Sequence, residues 1–563
     1  MNTAAEMAHW TPVLRVPPFP GALVTTVARR TADQACATPQ IDRKHCVAAL
    51  RHHRVGGSFW AAQPALDPAR RLVVRPADSG QAQTMLARAR ELGLADRIQL
   101  WLPVTFGWRP GDGTDPPFVV DPCDPWHMIG HADALWVDAS DEVALLARIA
   151  DVEIITFGEG PFATGTAEAL VAEHLLAGVA YVDPFEDRTA DALGIIELLG
   201  SWRALIDANR PIEAAVGFAR WKRETVEPLL WHGGGRVRFA PANAATLASL
   251  RPGAGLAIWK ARVPAAFLAE AEQGSAVMHE VEDGFIRSSG LGANCVPPLS
   301  IVVDRLGVHF DPGGASELEQ MLESSVFDAA TLDQAAQLRA AIRHSGLSKY
   351  EAGASALPRP GGARRHILVP GQVEDDRSVL CGGGGVAGNL DLLSRVRARE
   401  PEAFILYKPH PDVEAGHRKG KLMDADVERY ADMIVRDASI SALIDMVDAV
   451  HVLTSLAGFE ALLRDKAVTT HGVPFYAGWG LTTDLGAVPA RRRRCRTVAE
   501  LIAAVLIAYP RYLNPVTMLP CPPSVLVARL AGGGVRRQNA AIVSLRRMQG
   551  ALRRGLSRIG AAA

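Results

Sequence analysis

Three consecutive acids follow a short apolar segment, residues 367–370, that is typical of a buried strand. They are Glu374, Asp375 and Asp376. Adjacent carboxylates repel one another unless a cation or an electrophilic substrate faces them. In an open parallel sheet, ligands bind beyond the carboxyl ends of the strands, where these acids and the preceding Gln372 lie. The pattern predicts a loop that contacts the substrate through Gln372, Glu374, Asp375 and Asp376, and it does not by itself distinguish Asp375 from Asp376. A helix N-cap by Asp375 or Asp376 is the alternative, and it would account for only one of the acids.

A lysine and a histidine form a second polar cluster after another predicted strand. Lys408 and His410 are each followed by proline. Prolines on both sides fix the backbone of His410 and remove competing N–H donors, so its imidazole is held in one direction. With the positive charge of Lys408, the cluster predicts a clamp for a nucleotide phosphate. A metal site of His410, Asp412 and His417 is the alternative, but no closely spaced histidine pair supports it, and we expect no metal.

A third cluster, Glu282, Asp283 and Arg287, lies in a turn-rich stretch between the apolar segments 275–278 and 299–303. Adjacent acids with a nearby arginine can form a solvated ion-pair cluster. The apolar flanks instead favour a strand end that faces a cleft. We therefore expect this cluster to be functional, with Asp283 and Arg287 in contact with the substrate.

A fourth group, Thr454, Ser455 and Glu460, spans a strand end, a small-residue turn and the start of a helix. A helix N-terminus exposes N–H groups that bind phosphate, and the two hydroxyls add donors. Glu460, one turn into the helix, could accept hydrogen bonds from a ribose. N-capping by Ser455 is an equally adequate interpretation.

Strands and helices alternate in two parts of the chain, which predicts α/β folds with parallel sheets. The predicted strands are residues 71–74, 98–102, 134–137, 366–369, 403–407 and 449–453, and the predicted helices are 82–92, 390–399 and 458–463.

The two parts share short motifs in the same order, which indicates an internal duplication. The matched segments are 100–104 with 406–410, 133–140 with 448–455, 158–162 with 472–475, and 181–184 with 512–515. The alternative is the general likeness of α/β sheets. Leu102 and Val104 stand in the first copy where Lys408 and His410 stand in the second. Since apolar side chains neither bind phosphate nor transfer protons, we expect the first copy to be non-catalytic and to bind no nucleotide.

Composition excludes several classes of protein. A length of 563 residues predicts several domains, and a net charge of −1 provides no basic excess for a nucleic-acid partner. The seven cysteines form no C-x-x-C pair, which favours a reducing cytoplasm. The first residues lack the pattern of a secretion signal, and no stretch approaches the roughly 18 apolar residues of a membrane-spanning helix.

Five motifs together resemble the bacterial capsule polysaccharide biosynthesis family, whose best-understood members are β-Kdo transferases. The motifs are residues 282–287, 369–376, 407–413, 453–462 and 475–482. The resemblance extends over about residues 210–530. It implies a GT-B glycosyltransferase with two Rossmann-like lobes, preceded here by a partial Rossmann-like repeat. It also implies the donor CMP-β-Kdo, retention of the β configuration, a lipid-linked acceptor (phosphatidylglycerol-type or Kdo-extended), no cofactor or metal, and other capsule synthesis or export proteins as partners.

The resemblance also implies residue roles. Asp376 would be the nucleophile, Glu282 the acid/base, and His410 the ligand of the CMP phosphate, assisted by Lys408 and Ser455. Double displacement with retention requires one carboxylate at the sugar and a second group that activates the acceptor. Relatives with two complete modules can alternate two linkages, whereas this chain retains one candidate active site.

The expected domains are an irregular leader (1–45), a degenerate first module (46–190), a helical linker (191–235), an acceptor-side lobe (236–365), a CMP-sugar-side lobe (366–530) and a basic tail (535–563). The tail has seven arginines and no acid, with apolar residues three or four apart. This pattern is typical of an amphipathic helix that lies on an anionic membrane, here the cytoplasmic face of the inner membrane. A disordered basic tail is the alternative.

Two other functions remain open. The first is transfer of a sialic-acid-like nonulosonate from its CMP derivative, because a phosphate clamp recognises only CMP. The second is a non-catalytic component of capsule assembly or export.

Overall fold

The structure is a computed structural model that describes residues 11–31, 42–104, 116–286, 296–345, 359–416 and 418–532. Arg287, His417 and the whole basic tail, 535–563, lie outside the described residues. The chain divides into two compact units. The first contains the described residues up to Pro211 together with Leu230–Val237, and the second contains Ile212–Leu229 and the described residues from Arg238.

The first unit contains a five-stranded parallel sheet and a three-stranded antiparallel sheet. Its strands are β1 (Ala28–Arg30), β2 (Leu72–Arg75), β3 (Ile98–Leu102), β4 (Phe118–Val120), β5 (Ala134–Asp138), β6 (Glu153–Phe157), β7 (Val179–Val182) and β8 (Thr189–Ala190). Its helices are α1 (Arg43–His53), α2 (Ser79–Glu91), α3 (Pro125–His131), α4 (Val143–Ala150), α5 (Ala167–Val171) and α6 (Ala192–Asn209). The strand orders are β4-β3-β2-β5-β6 and β1-β7-β8.

The second unit contains a seven-stranded mixed sheet and a six-stranded parallel sheet. Its strands are β9 (Ile212–Val216), β10 (Phe239–Ala240), β11 (Gly255–Ile258), β12 (Val277–Asp283), β13 (Ser300–Asp304), β14 (His366–Pro370), β15 (Phe404–Lys408), β16 (Met433–Ile434), β17 (Ala449–Val452), β18 (Ala467–Thr470), β19 (Thr483–Asp484), β20 (Pro510–Leu513) and β21 (Pro520–Cys521). Its helices are α7 (Arg220–Leu230), α8 (Ala244–Ala248), α9 (Ala265–Gln273), α10 (Glu317–Ser324), α11 (Ala329–Ser345), α12 (Arg377–Gly382), α13 (Asn389–Arg399), α14 (Pro411–Glu414), α15 (Asp424–Val427), α16 (Ile440–Met446), α17 (Leu456–Leu462), α18 (Val498–Ile502) and α19 (Pro523–Ala531).

The two sheets of the second unit form two Rossmann-like lobes, as the sequence predicted. The seven-stranded sheet has the order β10-β9-β11-β12-β13-β20-β21. The pairs β12–β13, β13–β20 and β20–β21 are antiparallel. The six-stranded sheet has the order β16-β15-β14-β17-β18-β19 and is parallel throughout. Strands β14 and β15 are buried along their whole length, which explains why they consist mostly of apolar residues without alternation.

The predicted partial repeat is confirmed by topology. The order β4-β3-β2-β5-β6 in the first unit equals β16-β15-β14-β17-β18 in the second. The matched motifs lie on equivalent strands or, for 158–162 and 472–475, directly after them, and a short helix that continues as a π-helix precedes both β7 and β20. The hydroxyl of Tyr181 donates to the carbonyl of Leu175 at 2.8 Å, and the hydroxyl of Tyr512 donates to the carbonyl of Leu506 at 2.7 Å. The same local structure therefore occurs in both copies.

Three of the expected segments differ from the structure. Part of the leader forms β1, which pairs with β7. The expected linker, residues 191–235, contains α6, β9 and α7, and β9 pairs with β11 in the seven-stranded sheet. The expected CMP-sugar-side lobe ends earlier than residue 530, because β20 returns to pair with β13. Each short strand is stabilised by partners distant in sequence, which local periodicity does not reveal.

The structure contains no helix, among the residues it describes, with the length and apolar character needed to cross a membrane.

Candidate active site

The carboxyl edge of the six-stranded sheet brings together the polar clusters that follow β14, β15 and β17. The strand order reverses between β14 and β17, which is where open α/β sheets bind ligands. Gln372 and Thr454 join the two strand ends: the Gln372 amide donates to the Thr454 hydroxyl at 3.0 Å and accepts from its backbone N–H at 2.9 Å. Both side chains are buried. Gln372 therefore fixes the floor of the crevice.

The three consecutive acids have three different partners, so their side chains are separated. Glu374 accepts from the backbone N–H of Asn389 at 2.9 Å. Glycine is required at the preceding position, Gly388, where φ is +128° and a Cβ atom would lie 2.4 Å from the Glu374 carboxylate. Asp375 is 44% exposed and pairs with Arg418 at 3.2 Å. Glu374 thus anchors the loop, and Asp375 lies on its surface.

Asp376 is the N-cap of α12. Its Oδ1 accepts from the backbone N–H of Ser378 at 3.0 Å and from the Ser378 hydroxyl at 2.7 Å. The capping interpretation therefore holds for Asp376 and not for Asp375. The two hydrogen bonds hold the carboxylate in one rotamer at the carboxyl end of β14. This arrangement suits a nucleophile, which must be aimed before the substrate arrives.

The Lys408–His410 cluster lies at the end of the adjacent strand, β15. Lys408 is buried, and its Nζ donates to the carbonyl of Arg436 at 3.1 Å. His410 caps α14, and its Nδ1 accepts from the backbone N–H of Asp412 at 3.2 Å. Because Nδ1 is an acceptor, the ring proton is on Nε2, which is thereby a donor. A buried ammonium and an oriented N–H donor are the groups that an anionic leaving group needs.

The third strand end carries hydroxyl groups and a buried acid. Ser455 caps α17, accepting from the backbone N–H of Ala457 at 3.2 Å. The hydroxyl of Tyr476 donates to the carbonyl of Ser455. Glu460 is buried within α17. The start of α17 is thus compatible with both interpretations of Ser455, as an N-cap and as a phosphate-binding hydroxyl.

Glu282 and Asp283 form the end of β12 itself, in the other lobe. Asp283 accepts from Lys222 at 3.0 Å, and the Lys222 ammonium lies 3.3 Å from the centre of the Trp259 ring. Three residues after Glu282, the ring of Phe285 packs against Phe475 with 4.9 Å between centroids. Two of the five sequence motifs therefore meet, and they bring the Glu282 segment against the lobe that contains the six-stranded sheet.

A salt-bridge chain that the sequence analysis missed also joins the two lobes. Glu280 accepts from Lys260 at 2.7 Å and from Arg377 at 3.1 Å. Arg377 directly follows Asp376, and Glu280 lies two residues before Glu282. Alternation along a strand puts Glu280 and Glu282 on one face, which was a signal available in the sequence. The two cations that pair with Glu280, Lys260 and Arg377, could be identified only from the structure.

The described residues contain no group of three or more histidine, cysteine or acidic side chains arranged to hold a metal ion. Among the ligands of the alternative metal site, His410 and Asp412 belong to the start of α14. The Nδ1 atom of His410 is already an acceptor for a backbone N–H.

The equivalent edge of the first unit has different chemistry. Arg75, at the end of β2, pairs with Asp121 at 2.9 Å and Asp141 at 2.6 Å, and its guanidinium lies 4.0 Å from the Trp101 ring. Leu102, the counterpart of Lys408, is buried in the apolar core. Internal ion pairs thus lie at the end of the strand equivalent to β14, and an apolar side chain takes the position of Lys408.

Comparisons with known proteins agree with the sequence resemblance. The sequence profile of the capsule polysaccharide biosynthesis protein family matches residues 259–512. The capsule polysaccharide modification protein LipA of Neisseria meningitidis serogroup B is 39% identical over 356 residues, which are 63% of this chain and 50% of that protein. The lipopolysaccharide-processing protein LpsZ of Rhizobium meliloti is 47% identical over 236 residues, 41% of this chain and 53% of that protein. The chain spans about half the length of these curated relatives.

A solved structure is also similar to part of this chain. The β-Kdo 2,7 transferase KpsC of Thermosulfurimonas dismutans is 30% identical, with 57% of this chain and 99% of that chain aligned and a TM-score of 0.47.

Proposed function

The chain belongs to the capsule polysaccharide biosynthesis family, and on that premise we propose that it is a retaining glycosyltransferase. The proposed reaction transfers β-Kdo from CMP-β-Kdo to a lipid-linked acceptor, of phosphatidylglycerol type or already extended by Kdo. The observation that supports it is the approach of the Asp376 loop to the Glu282 strand through Arg377 and Glu280 (3.1 Å). That contact joins two carboxylate-bearing segments of opposite lobes.

In the proposed first step, the Asp376 carboxylate attacks the anomeric carbon of the donor sugar. A bond from Asp376 to the sugar forms while the bond from the sugar to the CMP phosphate breaks, and CMP leaves with both bonding electrons. Lys408 and the Nε2–H of His410 stabilise the charge that develops on the leaving phosphate. Since two protein cations or donors supply this stabilisation, the proposed step needs no metal ion.

In the second step, an acceptor hydroxyl displaces Asp376 from the anomeric carbon. Glu282 removes the proton from that hydroxyl, the new glycosidic bond forms, and Asp376 is released as a carboxylate. Two inversions at the same carbon leave the β configuration unchanged. Gln372 and Thr454 hold the floor of the crevice, and Asp283 and Arg287 are proposed to contact the acceptor side.

The test is product formation by the purified full chain with CMP-Kdo and a Kdo-terminated lipid or glycoside acceptor. We expect transfer with net retention, its loss in Asp376→Ala, and near-normal rates in Asp375→Ala, whose side chain is exposed and paired with Arg418. Full activity of Asp376→Ala would contradict the assignment. If the protein transferred sugar only from CMP-sialic acid, the donor sugar in the proposal would change and the proposed mechanism would stay the same.

We further propose that the protein works at the cytoplasmic face of the inner membrane, where a lipid acceptor is accessible. The basic tail (535–563), with seven arginines and no acid, supports this attachment. Each arginine near an anionic surface contributes on the order of 1 kcal/mol, so binding should weaken with salt. Deletion of the tail should move the protein to the soluble fraction and preserve activity on a soluble acceptor. A truncated protein that still sediments with membranes would contradict this attachment.

A further inference from the structure

Glu280 is a buried carboxylate at the junction of the two lobes. It is 4% exposed and contacts two cations, Lys260 through Oε2 (2.7 Å) and Arg377 through Oε1 (3.1 Å). Lys260 follows β11 in its own lobe, whereas Arg377 begins α12 in the other lobe. Glu280 therefore connects Lys260 of its own lobe with Arg377, at the start of α12 in the other lobe.

The partner of Glu280 is covalently next to Asp376. Helix α12 has only six residues, and a helix that short depends on contacts outside itself for its position. Asp376 is tied to the first turn of α12 by its hydrogen bonds to Ser378. The Arg377 guanidinium, also 5.0 Å from the ring of Phe310, anchors that same turn. A displacement of Arg377 would consequently displace the Asp376 carboxylate.

Glu280 is unsuited to proton transfer, although it shares a strand face with Glu282. Both of its oxygens are engaged by cations of the protein, Lys260 and Arg377, and are not directed at a substrate. Its contribution must therefore be geometric.

We propose that Glu280 is a positioning residue that, through Arg377, sets the distance between the Asp376 carboxylate and the Glu282 strand. This inference rests on the proposed function, because it assigns Glu280 to the nucleophile of that reaction. Reacting groups misplaced by about 1 Å lose on the order of 100-fold in rate, so the pairing matters for turnover even though Glu280 contacts no substrate.

The test compares steady-state and single-turnover kinetics of the full chain with those of Glu280→Gln, which has the same shape without the charge. We expect kcat and the first-turnover release of CMP to fall about 10- to 100-fold. The KM for the CMP-sugar should change little, because Lys408 and His410 are not in the contact. Arg377→Lys, which keeps the charge but loses the planar fork, should show a smaller loss in the same two rates.

The matched control is Glu213→Gln. Glu213 also forms a salt bridge in the seven-stranded sheet, with Arg251 at 2.5 Å, but at the start of β9. We expect its kinetics to equal those of the wild type. If Glu280→Gln does not fold, as judged by its thermal transition, the half-buried Arg377→Lys variant alone decides the question through the same split between kcat and KM.

The outcomes separate this inference from the proposed function. Wild-type kcat in Glu280→Gln, or a loss confined to KM, overturns the positioning role while a dead Asp376→Ala leaves the proposed function intact. An active Asp376→Ala overturns the proposed function itself. In the double variant Glu280→Gln/Arg377→Lys, the loss should not exceed that of Glu280→Gln alone, because both changes affect one contact; multiplied losses would contradict the shared path.

Discussion

Adjacent acids in the loop after β14 have different partners, and only one of them is the proposed nucleophile. Asp376 is fixed by Ser378, whereas Asp375 is exposed and paired with Arg418. The pair therefore offers an internal control in which one carboxylate is removed at a time from the same loop. The floor of the crevice offers a second residue-level test, because it rests on one amide and one hydroxyl.

Thr454→Val should destabilise the protein by about 1–3 kcal/mol, since it leaves the buried Gln372 amide without its hydroxyl acceptor. The measurement is the free energy of unfolding in urea. Ser324→Ala is the control: its exposed hydroxyl donates to the carbonyl of Gln320 at 2.7 Å within α10, and we expect a change within about 0.5 kcal/mol. Equal stability of Thr454→Val and the wild type would show that the crevice floor does not depend on this pair.

At the scale of elements, the sequence predicts the strands better than their partners. The segments around β14, β15 and β17 and the acids and bases that follow them lie where periodicity and motif spacing predict. The strand β9 was missed because its five residues lie between two helices, and its pairing with β11 is not encoded locally. The contact of Glu280 with Arg377 was missed for the same reason, as it joins residues 97 apart.

A buried histidine pair beside α13 should make the stability of the second unit depend on pH. Nδ1 of His451 on β17 lies 3.2 Å from Nε2 of His471, and burial lowers the pKa of His451 to about 3 and of His471 to about 4. Because the unfolded histidines bind protons near pH 6.5, the unfolded state takes up more protons between pH 6.5 and about 4. Stability should therefore be full above pH 6.5 and fall as pH falls through that window, by about 1.4 kcal/mol per pH unit for each histidine.

The check is urea unfolding from pH 7.5 to 4.5. The fall in stability should be shallower in His451→Gln than in the wild type, while His344→Gln, at the exposed end of α11, should keep the wild-type slope. Identical slopes in all three proteins would contradict the assignment of the acid sensitivity to the buried pair.

At the scale of the whole molecule, the two copies of the duplicated topology carry different side chains at the carboxyl edges of their sheets. The second unit presents Asp376, Lys408 and His410 at the carboxyl edge of its sheet. The first unit presents Arg75 paired with Asp121 and Asp141 at the equivalent edge. A nucleotide phosphate there would have to displace two carboxylates from one guanidinium, whereas at the site proposed in the second unit it would meet a buried ammonium and an N–H donor.

The full chain should therefore bind one CMP. Isothermal titration of the full chain is expected to fit one site per chain, and Lys408→Ala should weaken that site at least tenfold. Arg75→Ala, which removes the cation at the carboxyl edge of the first unit, should leave the affinity and the stoichiometry unchanged. Two sites per chain, or a loss of binding in Arg75→Ala, would show that the first unit binds nucleotide.

The most direct test of the central claim is a search for the covalent sugar–Asp376 intermediate. The full chain is mixed with CMP-Kdo without acceptor, quenched in acid, and analysed by intact-protein and peptide mass spectrometry. We expect a mass increase of one sugar in the wild type and in Asp375→Ala, located on the peptide that contains residue 376, and no increase in Asp376→Ala. An adduct of equal yield in Asp376→Ala, or one located on a different peptide, would contradict the assignment of Asp376 as the nucleophile.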